Sequence, residues 1–304
     1  LHHIASLSTC YIISINMIPQ KKGGILMVRE EWMLAGAEGA ELFIREWKPD
    51  ARAVRAVICL VHGMGEHGDR YQHVAAQFTE AGFALIALDQ HGHGRSSGKR
   101  GHLLSLDAAV SDAALIIEEA GKRIPGVPVF LYGHSMGGNV ALNCALRLRP
   151  AIKGLILTSP WLRLAFRPHP LKEWVGRKIA AILPELQQST GLNPAELFRP
   201  GYAKAAPIVD DPLCHTKITL HTFKEIGSGG EWALAHADSL HVPLLLLHGS
   251  SDRITSLEAS RLLAERLGER CEWRVWEGGF HELHNDVEGE QTINEIIDWL
   301  ERQL

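Results

Sequence analysis

"VPVFLYGHSMGGN", residues 127–139, runs from an unbroken apolar stretch straight into three glycines crowded around one serine, Ser135. An apolar run without polar alternation suits a strand buried on both faces. The following "GGNVALNCALRL", residues 137–148, has the spacing of a helix. Ser135 therefore stands in a strand-to-helix turn. Gly133-His134-Ser135-Met136-Gly137 fits GxSxG, the pattern of a strained bend that lifts a serine hydroxyl while flanking glycines let neighbouring backbone pass closely. The plain alternative is an ordinary turn eased by Gly133 and Gly137. The buried strand before it and the helix after it favour the strained bend.

Similar apolar runs recur on either side: "AVICLVHG" (56–63), "FALIALD" (83–89), "GLILTSP" (154–160), "VPLLLLHG" (242–249) and "CEWRVWEG" (271–278). Helical patterns fall between them, near 70–81, 107–123, 136–148, 255–268 and 287–302. Alternating strand and helix predicts a mostly parallel sheet with helices on both sides. Ahead of this unit, "EEWMLAGAEGAELFIREW" (30–47) alternates about Gly39, as two antiparallel strands would. From about Trp161 to Leu240 the rhythm stops. That interval holds several prolines, the loop-like "EIGSGGE" (225–231) and no convincing strand, and an insertion so long is expected to cap one edge of the sheet. The expected division is thus a core over 27–160 and 241–304 with a cap at 161–240. Residues 1–26 lack a basic start and a small-residue cleavage pattern, so they read as a non-native or disordered extension ahead of Met27.

Bulk properties narrow the function. A length of 304 residues with 46% apolar and 22% charged content describes an ordinary globular chain with a sizeable core. A formal net charge of −4 gives no basic face for nucleic acid. Five scattered cysteines, Cys10, Cys59, Cys144, Cys214 and Cys271, show no CxxC spacing and suit core positions in a reducing, cytoplasmic setting.

In a sheet of this type, ligands bind beyond the carboxyl ends of the strands. A serine hydroxyl there needs a base to take its proton and a carboxylate to orient that base, in the chain order Ser, acid, His. Asp252 follows "VPLLLL" and His281 follows "CEWRVW", each at the expected strand end. Asp252 could instead cap the next helix, but Thr255 or Ser256 is better placed for that. His281 competes with His284; the Gly-Gly lead-in of His281 suits a tight loop reaching toward the serine. Backbone N–H groups of Met64 and Met136 are the expected donors to a developing oxyanion.

Two rival readings start from the same loops. Gly63-Met64-Gly65-Glu66-His67-Gly68 fits GxGxxG, with Asp89 about 20 residues on, as a dinucleotide site would require. It puts the Glu66 carboxylate where a pyrophosphate needs donors, and leaves Ser135, Asp252 and His281 unexplained. His91 and His93, with His62 and His67, suggest a metal site, although glycines at alternate positions in "DQHGHG" more often mark a tight loop. A non-catalytic small-molecule binder is the third class left open.

Taken in order, "HGMGEHGDRY", "DQHGHGRSSGKRG", "GHSMGG", "TSPWL", "DDPL", "LLLLHGSSDRIT" and "FHELHND" make the chain from Met27 onward resemble the monoacylglycerol lipase and lysophospholipase group of the α/β-hydrolase fold. The resemblance implies an esterase acting on fatty acyl esters of glycerol without metal or organic cofactor. Lysophospholipids and broader carboxylic esters are the alternative substrates. It assigns Ser135 as nucleophile, Asp252 as acid, His281 as base, and Met64 and Met136 as oxyanion donors. The cap is only loosely similar. There Leu171, Trp174, Val175, Ile179, Ile182 and Leu183 form one apolar helical face flanked by Arg163, Arg167, Lys172, Arg177 and Lys178. Such a face either packs on its own domain or serves as a lid that touches a lipid interface.

Overall fold

The computed structural model describes residues 11–19, 26–50, 53–166, 179, 182–199 and 210–304. Its nine-stranded sheet begins with β1 (Tyr11–Pro19), β2 (Leu26–Ala35) and β3 (Glu41–Pro49), which run antiparallel. Within the stretch expected as an extension, "YIISINMIP" is thus an edge strand, running from Tyr11 opposite Met33 to Pro19 opposite Leu26. The turn between β2 and β3 is a short 3-10 segment, Ala37–Gly39, with Gly39 at φ +80°.

The remaining strands are β4 (Ala56–Val61), β5 (Phe83–Leu88), β6 (Val129–His134), β7 (Gly154–Thr158), β10 (Leu244–Gly249) and β11 (Cys271–Trp276). In space the order is β1-β2-β3-β5-β4-β6-β7-β10-β11, parallel from β5 to β11. This is the α/β-hydrolase arrangement.

Alternation along each strand sends neighbouring side chains into opposite layers. Val57, Cys59, Leu131, Leu155 and Leu246 face a core shared with α2 (Leu106–Arg123), α3 (Met136–Arg147) and α5 (Leu257–Leu267). Ile58, Leu60, Phe130, Ile156 and Leu245 face the other, shared with α1 (Gln72–Glu80) and α6 (Gly289–Gln303). Trp299 of α6 closes edge-on against Phe130, centroids 5.9 Å apart, above Gly154, where a side chain would collide with the indole. Ser256 caps α5 by accepting from Ala259 N–H, as expected for that position.

Between β7 and β10 the described residues hold a small antiparallel pair, β8 (Gln187–Ser189) and β9 (Lys217–Thr219), and one long helix, α4 (Leu220–Ala235). Two expectations are corrected here. Short strands do occur in the interval, and "EIGSGGE" is helix rather than loop. The glycines serve close packing: a Cβ on Gly230 would drive into the Leu162 carbonyl, and one on Gly229 into Leu106 and Asn139. Tertiary contact thereby overrides their poor helix propensity. Of the apolar face expected at 171–183, Leu171, Trp174 and Val175 lie outside the described residues, as do Arg167, Lys172, Arg177 and Lys178. Ile179, Ile182 and Leu183 are described and exposed.

Candidate active site

Ser135 is the first residue beyond β6 and sits at φ 52°, ψ −118°, a backbone conformation that side chains avoid. Strain of this kind persists only where its surroundings enforce it, and three contacts do. Ser135 N–H donates to Thr158 O at 3.1 Å, Trp161 N–H donates to Ser135 O at 2.8 Å, and Gly138 N–H donates to the same oxygen at 3.0 Å. The glycines make the bend possible. A Cβ on Gly137 would strike the Val61 and His62 carbonyls, and one on Gly133 would press on Ala141 and Gly138. The bend can therefore seat directly on the end of β4.

The loops after β10 and β11 bring two further groups to the hydroxyl. His281 Nε2 lies 2.9 Å from Ser135 Oγ, and its Nδ1 lies 2.8 Å from Asp252 Oδ2. Donation of the Nδ1 proton to Asp252 leaves Nε2 as acceptor for the serine hydroxyl. Close approach of the two loops depends on Gly249, where any side chain would run into the carbonyls of Gly279 and Phe280. All three side chains are buried or nearly so.

Burial works against a charged His281, but the Asp252 carboxylate outweighs it and raises the imidazole pKa above 6.5. Burial would likewise raise Asp252, yet His281 and a hydrogen bond from His248 hold it well below 3.8. His284, the competing base, does not reach the serine. It stacks on Tyr71 at 4.6 Å, with neither ring nitrogen partnered among the described residues. Burial keeps it, and His134 beside it, strongly biased to the neutral form.

Asp252 has a second set of partners that the sequence did not reveal. His248 Nε2 lies 3.2 Å from Oδ2, Thr255 Oγ1 donates to Oδ2 at 2.7 Å, and the N–H groups of Ile254 and Thr255 donate to Oδ1. Thr255 had looked like a helix cap. The one available signal was its spacing, three residues beyond an aspartate in a loop.

Met136 opens α3, so its N–H has no acceptor within the helix. Met64 follows Gly63, whose would-be Cβ lies 3.2 Å from Ser135 Cβ, so this loop abuts the serine. Glu66 ties the loop down by accepting from Gly63 N–H at 2.6 Å and Tyr71 O–H at 2.9 Å. Its burial pushes the carboxyl up to about 7, against the pull of Arg70.

The same contacts count against the dinucleotide reading and occupy two of the four histidines of the metal reading. A carboxylate occupies the Gly63 N–H that a pyrophosphate would need, while Asp89 is buried and accepts from Arg45, Gly68 N–H and Arg95 N–H. Both nitrogens of His62 are taken, by Gly63 O and Gln90 N–H, and His93 bonds to His91 O and Met64 Sδ. "DQHGHG" is a tight loop: Gly92 and Gly94 take φ +75° and +49° against backbone and carboxylate.

The family described as "Serine aminopeptidase, S33" (Hydrolase_4) matches residues 52–288. An uncharacterized abhydrolase domain-containing protein of Dictyostelium discoideum is 34% identical over 86% of the chain, which spans 28% of that protein's length. A monoacylglycerol lipase of Mycolicibacterium smegmatis is 31% identical over 91% of the chain and 98% of its own length. Among solved structures, the monoacylglycerol lipase of Paleococcus ferrophilus superposes with a TM-score of 0.77 at 32% identity, covering 86% of this chain and 99% of that one.

Proposed function

This chain belongs to the Hydrolase_4 family, and from that premise we propose that it hydrolyses fatty acyl esters, foremost monoacylglycerols, through an acyl-enzyme on Ser135. The observation that carries the reading is the 2.9 Å contact between Ser135 Oγ and His281 Nε2, with Asp252 behind the ring. In the first step His281 takes the hydroxyl proton, the oxygen attacks the ester carbonyl, and the N–H groups of Met64 and Met136 hold the oxyanion. Glycerol leaves with the proton from His281. Water, activated by the same imidazole, then releases the fatty acid. Asp252 stays ionised throughout, which its depressed pKa supports.

We read residues 161–240 as a cap over this site, with 27–160 and 241–304 as the core. Exposed Phe166, Ile182 and Leu183 support contact between this interval and a lipid interface. Among the described residues no helix is long and apolar enough to cross a membrane. A series of glycerol esters tests the substrate class. An acyl-binding cap rewards each buried methylene by up to about 0.8 kcal/mol. Equal kcat/KM for acetyl and dodecanoyl esters would move the assignment to a small-ester esterase.

A further inference from the structure

His67, Asp211 and Cys214 come from segments about 145 residues apart in the chain, yet one donor atom of each lies within 4.8 Å of the other two. Imidazole, carboxylate and thiol together suit a borderline cation such as zinc better than magnesium or calcium, which take oxygen ligands. His67 Nε2 faces Asp211 Oδ2 at 2.8 Å, so these two donor atoms can share one ion. Asp211 and Glu282 add negative charge near Cys214, against the guanidinium of Arg70.

We propose that His67, Asp211 and Cys214 form a zinc site that fastens the segment around Cys214 to the loop carrying Met64. Zinc replaces the thiol proton of Cys214, which leaves to solvent, and a fourth position stays open toward the partly exposed Asp211. The two segments already touch: His215 N–H donates to Gly65 O at 2.9 Å, and Gly65 leaves no room for a side chain against the His215 carbonyl. The ion adds a second fastening, so its occupancy stiffens the loop that faces Ser135. This site is separate from Ser135, Asp252 and His281, and its binding does not depend on what the enzyme hydrolyses.

Calorimetric titration of the full chain with Zn2+, and with Cd2+ read by thiolate-to-metal charge-transfer absorption, tests it. One saturable site is expected, weakened at least about tenfold by Cys214→Ser and by Asp211→Asn, as for loss of a ligand. Circular dichroism on both variants separates loss of a ligand from loss of the fold. A wild-type chain without a cadmium–thiolate band, or with binding that both substitutions leave unchanged, would overturn the proposal.

Discussion

Thr255 Oγ1 donates to Asp252 Oδ2 at 2.7 Å, on the same carboxylate oxygen that receives the His281 Nδ1 proton at 2.8 Å. The hydroxyl thus helps fix the direction in which the carboxylate presents itself to the imidazole. Loss of one hydrogen bond to a buried charged group costs about 1.5–3 kcal/mol. Thr255→Val is expected to lower kcat by roughly tenfold or more with little change in KM, and Thr255→Ser to restore most of it. Steady-state kinetics of the pair would test this; equal losses in both variants would mean that Thr255 acts through packing alone.

Ser135→Ala removes the proposed nucleophile and its contact with His281 Nε2, while keeping the bend. Turnover should fall by several orders of magnitude, on the order of 10⁴-fold or more, and labelling by a fluorophosphonate probe should vanish. Thermal stability should hold or rise. Labelling that survives the substitution would place the reactive group elsewhere.

Because His281 must be neutral to accept a proton, kcat/KM should fall with acidification through a pKa above 6.5, the direction set by Asp252. In Asp252→Asn that limb should shift downward and the rate should drop roughly 10⁴-fold. Stability follows the opposite sense for the two partners. The contribution from His281 is complete below its unfolded value near 6.5 and fades as pH rises through its raised folded value. The contribution from Asp252 is present above its unfolded value near 3.8 and is lost as pH falls through its depressed one. A pH–rate profile flat from 7 to about 5.5, below the ordinary histidine range, would count against His281 as base.

Two glycines of α4 should respond in opposite directions. Gly227 has open space where a side chain would go, so Gly227→Ala should stabilise by up to about 1 kcal/mol through helix propensity. Gly230→Ala must push the helix off the Leu162 carbonyl, an overpacking cost of about 1–3 kcal/mol. Melting temperatures that moved the same way in both variants would refute this account of α4.

Much of this was legible in the sequence because buried parallel strands leave unbroken apolar runs, and the reactive residues follow those runs directly. Ser135, Asp252 and His281 each follow such a run, at a strand end. Features that depend on contacts remote in the chain leave no such mark. α4 looked like loop because its glycines follow the surface of Leu162 and Asn139 rather than a local preference. Thr255 looked like a cap because a hydroxyl near a helix start has two uses, and only the carboxylate beside it decides between them. The bond between His67 and Asp211 spans 144 residues and leaves no local pattern.

The separation of Ser135 from His281 by 146 residues also bears on how the protein is made. A growing chain can finish the strained bend and the loop carrying Met64 early, yet His281 reaches Ser135 only once β10 and β11 have docked beside β7. The proposed base is therefore in place only after the chain has been made through His281 and folded back on β7. A product truncated before β11 would lack His281 and with it the base of the proposed reaction.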